Sequence, residues 1–525
     1  MPRVPQADVN PRGVLLACSA AVFVIALNTT AINAAVNAIA DDLGLSTSTL
    51  SWAINAYLLA VAALVLPAGR LGDLLGMRTV FLIGLAVFAV GSVLAAVAEG
   101  DALIIAGRAG QGAGAAFLMP ATLSAIGLAY PPEKRAGAFG IWGAVAGIGF
   151  AVGPLYGGVW TDAVSWRGLY WADLLILAVG AALAVRFVGP LGRPAGPRRR
   201  IDLPAAALLA VAVFLVVLAL QRGSAWGWES ALFIGTLALG VVLLVAFGVL
   251  ERYRPVPLMH IRLLRDRVYA ASNLTTFAST VGLIGLLYFF NLYAQSEVTF
   301  DLSAVGASVA LLPYGVMLFV VSVLSGRVAE RVGYRLPVGG GLLVMAVGFA
   351  LFATLGDHAS RGDLWVPLVL CGIGVGATFA TAGAAGMAVV PPDEGGEAAG
   401  TINVSRYIGG AMVIAIGTAL YLSSALSTMD ARLDETGVGD PERERLDAAL
   451  TGTPAGLESA IEAAGRGSEA AVTAAARAGT VDGFSAVCWM MAIASLAGAV
   501  VAAAMLRGRR TAPSRDRRAG RRSVG

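Results

Sequence analysis

Long apolar runs, broken by short polar stretches that hold the arginines, are the first pattern along this chain. Each run is near the length of about 20 residues that a helix needs to cross a hydrocarbon core roughly 30 Å thick. Read against their charged breaks, the runs predict fourteen spans, near 14–38, 51–69, 79–98, 102–128, 138–160, 168–188, 203–221, 231–250, 269–294, 303–325, 337–355, 364–389, 398–424 and 483–506. The first run is too long, and lacks an A-x-A site, to read as a cleaved signal peptide. The stretch 425–482, rich in alanine and acids, is expected to be an outer loop. Helical pieces are expected there near 441–450 and 457–477, forming a solvated cap without chemistry of its own.

Composition agrees with the runs. Hydrophobic residues make up 58% and charged residues 13% of 525, against roughly 25% charged in soluble domains, and the mean hydropathy is +0.78. The fold class is therefore an all-α polytopic membrane protein. Cys18, Cys371 and Cys488 all fall in apolar runs, so neither a disulfide framework nor a metal site is expected. Lys134 is the only lysine, which excludes the GxxxxGK[ST] phosphate loop and a Schiff-base lysine in the membrane. No enzyme activity is expected.

The arginines set the orientation. With a cytoplasmic N-terminus the inner segments collect most of them, including Arg198 to Arg200 and the tail from Arg507 to Arg522, while the short outer loops keep only Arg167, Arg222 and Arg361. Both ends are thus expected inside. The basic tail reads as a partner for anionic lipid rather than for nucleic acid. The stretch 251–267, which includes His260, mixes apolar and basic residues in the manner of an interfacial segment.

Two loops repeat. GRLGDLLGMR (69–78) and GRVAERVGYR (326–335) share Gly69 and Gly326, Asp73 and Glu330, Gly76 and Gly333, and Arg78 and Arg335 at equal spacing. Parallel halves of this kind build one large class of transporters, with the substrate site at mid-membrane between them. The expected division is an N-terminus (1–13), a first six-helix half (14–188), an inserted helix pair (189–268), a second half (269–506) and a tail (507–525). A third stretch, GFAVGPLYGG, places Gly149, Gly153 and Gly157 on one helix face, with Pro154 and Gly158 beside them. A soluble helix would pay about 1 kcal/mol for each glycine and about 3 for the proline. In lipid the same residues let backbones approach closely, and the stretch reads as a bendable seam along which the halves rock.

Together these motifs resemble the major facilitator superfamily, in its fourteen-helix drug:proton antiporter branch. GRLGDLLGMR resembles the loop 2–3 signature except at Met77, where a basic residue is usual. RAGQGAG (108–114) resembles the helix 4 signature, and GFAVGPLYGG matches the helix 5 antiporter signature. PLMHIRLLRDR (257–267), SAVGASVALLP (303–313) and GTINVSRYIGGA (400–411) resemble further branch motifs. The resemblance implies two six-helix halves plus two inserted helices. It also implies that Asp73 holds one access state closed by meeting a helix N-terminus of the opposite half; the alternative is that Gly69 and Gly76 only shape a turn. Arg108, an arginine at membrane depth, reads as functional, with a structural ion pair as the alternative.

The chain departs from the branch pattern in helix 1, where L-D-x-T becomes Leu27-Asn28-Thr29-Thr30, and in helix 6, where the usual asparagine becomes Asp173. At 1.5 Å per residue Asn28, Asp173 and Arg108 lie roughly 15, 8 and 9 Å from the outer ends of their helices. The carboxylate that carries the proton is therefore expected to have moved to Asp173, tuned by Arg108; the alternative is a permanently charged structural partner. Arg406, matching the branch's helix 13 arginine, is a candidate for coupling or latching. Asn28, Asn33, Asn55, Tyr57, Gln111, Trp142, Asn291, Tyr314 and Asn403 are candidates to line a cavity or to serve helix packing. The reading is a monomeric exporter in the cell membrane, without cofactors and driven by the proton motive force, that exchanges small hydrophobic antibiotics or drugs for protons and confers resistance. A transporter of lipid or cell-envelope material, using the inserted pair as a lateral surface, is the alternative.

Overall fold

The computed structural model describes residues 9–44, 47–188, 202–254, 262–357, 359–391, 394–436 and 469–506. They are almost entirely helical, and fourteen of the described helical segments are long and apolar enough to cross a membrane. The first eight helices are α1 (Pro11–Leu43), α2 (Thr47–Leu75), α3 (Met77–Ala96), α4 (Asp101–Ala129), α5 (Pro132–Ala163), α6 (Trp166–Phe187), α7 (Leu203–Trp226) and α8 (Ala231–Tyr253). A single turn, α9 (Arg262–Arg265), leads into α10 (Arg267–Gln295), α11 (Ala304–Ala310), α12 (Leu312–Val332), α13 (Arg335–Ala353), α14 (Trp365–Thr378), α15 (Thr381–Met387), α16 (Gly395–Thr436) and α17 (Glu469–Met505). Polar side chains start several of them: Asn10 accepts from Gly13 N, and Asp266 from the amides of Val268 and Tyr269, satisfying donors that a helix cannot pair internally.

Within the first six helices α1 packs on α5 and α6, and α4 on α2 and α3. Within the last group α13 packs on α14 and α17, and α10 on α16 and α17. The two groups meet along two seams, α2 against α16 and α5 against α12. The apolar face of α7 (Leu209, Val213, Val217) lies on Leu59, Ala62 and Leu66 of α2 and on Ala411 of α16, and so covers the first seam. Most of α8 faces outward with exposed Leu232, Ile234, Leu239, Val242 and Val245, as expected of a helix against lipid.

Three expectations are corrected. The stretch 425–482 is not a loop throughout. α16 continues to Thr436 and α17 begins at Glu469, because these alanine-rich segments favour helix and bury Leu426, Met429, Leu433, Val472 and Ala476 against one another. The piece expected at 441–450, and 457–468 of the second, lie outside the described residues; 469–477 is helical. The span expected at 303–325 is divided into α11 and α12, with Pro313 in the first turn of α12, where its missing N–H does no harm.

The third concerns the helix 5 stretch. α5 runs unbroken through Pro154, and Gly149, Gly153 and Gly157 face α1, inside the first group of helices. A Cβ at Gly153 would lie 2.0 Å from Thr30 Oγ1 and 2.8 Å from Leu27 O, and one at Gly157 would lie 2.1 Å from Ala31 O. The seam with α12 uses an earlier face of α5. A Cβ at Gly140 would meet Ser322 O at 2.6 Å, and one at Gly147 would meet the Leu318 side chain at 2.0 Å. The sequence pattern identified a close-approach face correctly, but its partner is a neighbour in the same half.

Candidate functional site

Asn28 of α1, Ser92 of α3, Arg108 and Gln111 of α4 and Asp173 of α6 are all buried, and they meet. Asn28 Nδ2 donates to Asp173 Oδ1 at 3.0 Å and to Val24 O at 3.1 Å. Gln111 Nε2 shares its hydrogens among Ser92 Oγ (2.9 Å), Asn28 Oδ1 (3.3 Å) and Asp173 Oδ2 (3.4 Å). Tyr156 OH, from within the helix 5 signature, lies 2.9 Å from Leu169 O and 3.3 Å from Asp173 Oδ1. Arg108 does not form an ion pair with Asp173. Its Nη1 donates to Gln111 Oε1 at 2.8 Å, its Nε reaches Ala53 O at 3.4 Å, and its guanidinium lies 4.6 Å from the centre of the Tyr57 ring. Gln111 thus stands between cation and carboxylate with an acceptor toward one and a donor toward the other, the two-sided chemistry that an amide supplies. Such a network rigidifies its surroundings when fully satisfied. Ser92 and Tyr156 were missed from sequence; Tyr156 stood in plain view inside a motif whose glycines took the attention.

A second set of contacts lies at the end of the bundle where α1 begins. Asp73 accepts from the amides of Gly396 (2.7 Å) and Glu397 (2.8 Å) at the start of α16, where unpaired N–H groups and the helix dipole favour an anion. Arg70 lies 3.7 Å from Glu397. The repeat reproduces this on the other seam: Glu330 accepts from Gly137 N at 2.8 Å in the first turns of α5. Gly69 and Gly326 permit both approaches, since a Cβ would stand 2.2 Å from Gly396 O or 2.4 Å from Ala136 O. Gly76 and Gly333 turn the chain with φ of 91° and 87°, a region that side chains disfavour. Arg78 and Arg335 are exposed as the following helices start.

The third feature lies between the seams. Arg406 of α16 is buried under Phe379, its guanidinium 4.1 Å from that ring centre and 5.8 Å from Trp142 of α5. The two rings stack at 6.3 Å and 11°, Phe150 meets Phe379 edge-on, and Arg406 Nη2 donates to Phe379 O at 2.5 Å. Arg406 therefore shares no hydrogen bond with the Asp173 network and lies against elements of both groups.

Residues 18–414 match the Major Facilitator Superfamily. The chain belongs to that superfamily. It is 34% identical over 434 residues to the puromycin resistance protein pur8 of Streptomyces alboniger, covering 80% of this chain and 85% of the relative. It is 30% identical over 437 residues to the multidrug resistance protein Stp of Mycobacterium tuberculosis, covering 83% and 80%. The proton:xylose symporter XylE superposes with a TM-score of 0.60 at 13% identity, over 93% of this chain and 94% of that one, a likeness of fold alone. The protein is a multi-pass membrane transporter and not an enzyme.

In this transporter the residues expected to line a cavity do not gather at one place. Asn28, Tyr57 and Gln111 belong to the interior of the first group, with Tyr57 OH donating to Ile25 O at 3.2 Å. Asn291 donates to Leu287 O on its own helix, and Asn403 to Ala399 O on its own. Trp142 and Tyr314 are buried beside the α5–α12 seam, and Asn55 of α2 is half-buried. The side chain of Asn33 and residue His260 lie outside the described residues.

Proposed function

We propose that this transporter exports hydrophobic antibiotics or drugs in exchange for protons, by alternating access, and that Asp173 carries the proton. The contact between Asn28 and Asp173 supports the reading most directly. The branch resemblance puts an acid in helix 1 and an amide in helix 6; here the two are exchanged, and the exchanged side chains hydrogen-bond to each other at 3.0 Å. One carboxyl group is thus kept in the same small volume, carried by the other helix. When Asp173 is ionised, the amides of Asn28 and Gln111 donate to it. When it is protonated, its O–H needs an acceptor, which Asn28 supplies if its amide turns over. Gln111 transmits the field of Arg108, so a substrate that displaces either residue shifts the proton affinity of the carboxyl group. We place both termini in the cytoplasm, so that Asp73 and Glu330 brace the cytoplasmic end shut against α16 and α5.

The names of the relatives point to resistance through export, and puromycin is the first probe. Everted membrane vesicles from a host expressing the full chain, energised to a fixed pH gradient, should take up puromycin and release protons on its addition. D173N should abolish the proton release, and N28D/D173N, which moves the carboxyl group to helix 1, should restore it. Full proton-coupled transport by D173N would overturn the assignment. An envelope defect in a deletion strain, independent of any drug, would favour the lipid reading instead.

A further inference from the structure

We infer that Arg406, Trp142 and Phe379 form a recognition site for an acidic group carried on a flat aromatic or conjugated molecule. The inference rests on the transporter reading above and adds the substrate class. Arg406 lies eleven residues into α16 and Trp142 ten residues into α5, about 16 and 15 Å along their helices. Both therefore sit near the middle of a hydrocarbon core about 30 Å thick, between the two groups of helices. Arg406 is 4% exposed and Trp142 0%. Arg406 Nε and Nη1 and Trp142 Nε1 make no hydrogen bond to any described group.

Among the described residues no acidic side chain pairs with Arg406. On α16 the nearest acid before Arg406 is Glu397, about 14 Å away along the helix and beside Arg70. Asp73 and Glu330 are occupied by backbone amides at the end of the bundle. Helices α7, α10, α14 and α15 contain no acid, and Asp482 of α17 accepts from Thr428, far beyond Arg406. Asp173 lies on α6, which packs on α1, α3 and α5. Within the described protein the guanidinium charge meets ring faces and one carbonyl oxygen only.

A buried cation without a counter-charge is costly, and a binding site that must release its ligand is one place where such a cost is useful. Three donor nitrogens without a partner, and no unpaired acceptor among these three residues, select an acceptor-rich anion. The Trp142 and Phe379 rings, with Phe150 edge-on, favour a flat hydrophobic body. A carboxylate, phenolate or enolate conjugated to an aromatic ring has both properties, and arginine's planar fork suits it better than a point charge would.

Three probes with one ring system test this: 2-naphthoate, 2-naphthamide and 2-naphthylmethylammonium, titrated calorimetrically at pH 7 against the full chain in lipid nanodiscs. Naphthoate should bind about tenfold more tightly than the other two, a difference of about 1.4 kcal/mol. R406Q should bring naphthoate down to the level of the amide, R406K should keep part of the preference, and W142L should weaken all three alike. Equal binding of the three probes to the unmodified protein, or an undiminished preference in R406Q, would overturn the inference. If R406Q does not fold, thermal shifts of the unmodified protein decide: a larger stabilisation by naphthoate than by naphthamide supports the site, and equal shifts refute it. No gradient is applied, so a failure of proton-coupled export leaves this preference measurable, and loss of the preference leaves puromycin export to be judged separately.

Discussion

At the scale of single residues, hydrogen atoms on amides and a few carboxylate oxygens decide most of what is specific to this chain. The Asn28–Asp173 contact makes the swap N28D/D173N milder than either single change. N28D alone puts two carboxyl groups at hydrogen-bonding distance, and D173N alone leaves Arg108 without a nearby anion; disrupting a buried charged network costs about 3–5 kcal/mol. Thermal unfolding of the purified variants should therefore rank the double above both singles. Glycines behave as selectively. Gly153→Val should destabilise by about 1–3 kcal/mol through overpacking, since α1 leaves no room there, whereas Gly158→Val should fold normally, with nothing within 4 Å of its Cβ. At the C-terminal end of α1, Asp42 accepts from Trp166 Nε1 at 3.1 Å and pairs with Arg167. The Arg167 and Trp166 hydrogen bonds hold its carboxyl group below the usual range. That contribution is present above the ordinary value of about 3.9 and lost as pH falls through the lowered one. The difference in melting midpoint between the unmodified protein and D42N should accordingly shrink toward zero in strong acid.

At the scale of helices, the paired contacts at the end of the bundle where α1 begins are unequal. Asp73 receives two amide bonds and Glu330 one, and hydrogen bonds to a charged group contribute about 1.5–3 kcal/mol each. D73A should widen the distance between spin labels on α2 and α16 more than E330A widens that between α5 and α12, as read by pulsed electron paramagnetic resonance. The helices themselves were legible in the sequence because apolar length is a one-dimensional signal. The equal spacing of the two GR loops was also legible, since it needs no third dimension. What α5 touches was not: the repeat of Gly149, Gly153 and Gly157 defines a face, and no periodicity says which neighbour meets it. The same limit hid Gly140 and Gly147 at the seam, Tyr156 beside Asp173, and Phe379 over Arg406. Arg108 and Asp173 were legible as charges too costly to bury idly; the intervening role of Gln111 emerged only when four helices were brought together.

At the scale of the molecule, the described membrane helices form two groups of six joined along two seams, and α7 with α8 lies against one of them. The repeat makes the seams equivalent in principle: each has a glycine approach, an acid accepting from backbone amides in the first turns of a helix and a glycine turn. The extra pair abolishes that equivalence. Leu209, Val213 and Val217 wall off the α2–α16 side, while the α5–α12 side keeps apolar groups such as Val152, Leu155, Val316 and Phe319 on the exterior. A nearly two-fold body thereby acquires a front and a back. A compound dissolved in the bilayer, approaching sideways, would meet a closed wall from one direction and a doorway from the other. Photoreactive lipophilic probes should mark α5 and α12 and spare α2.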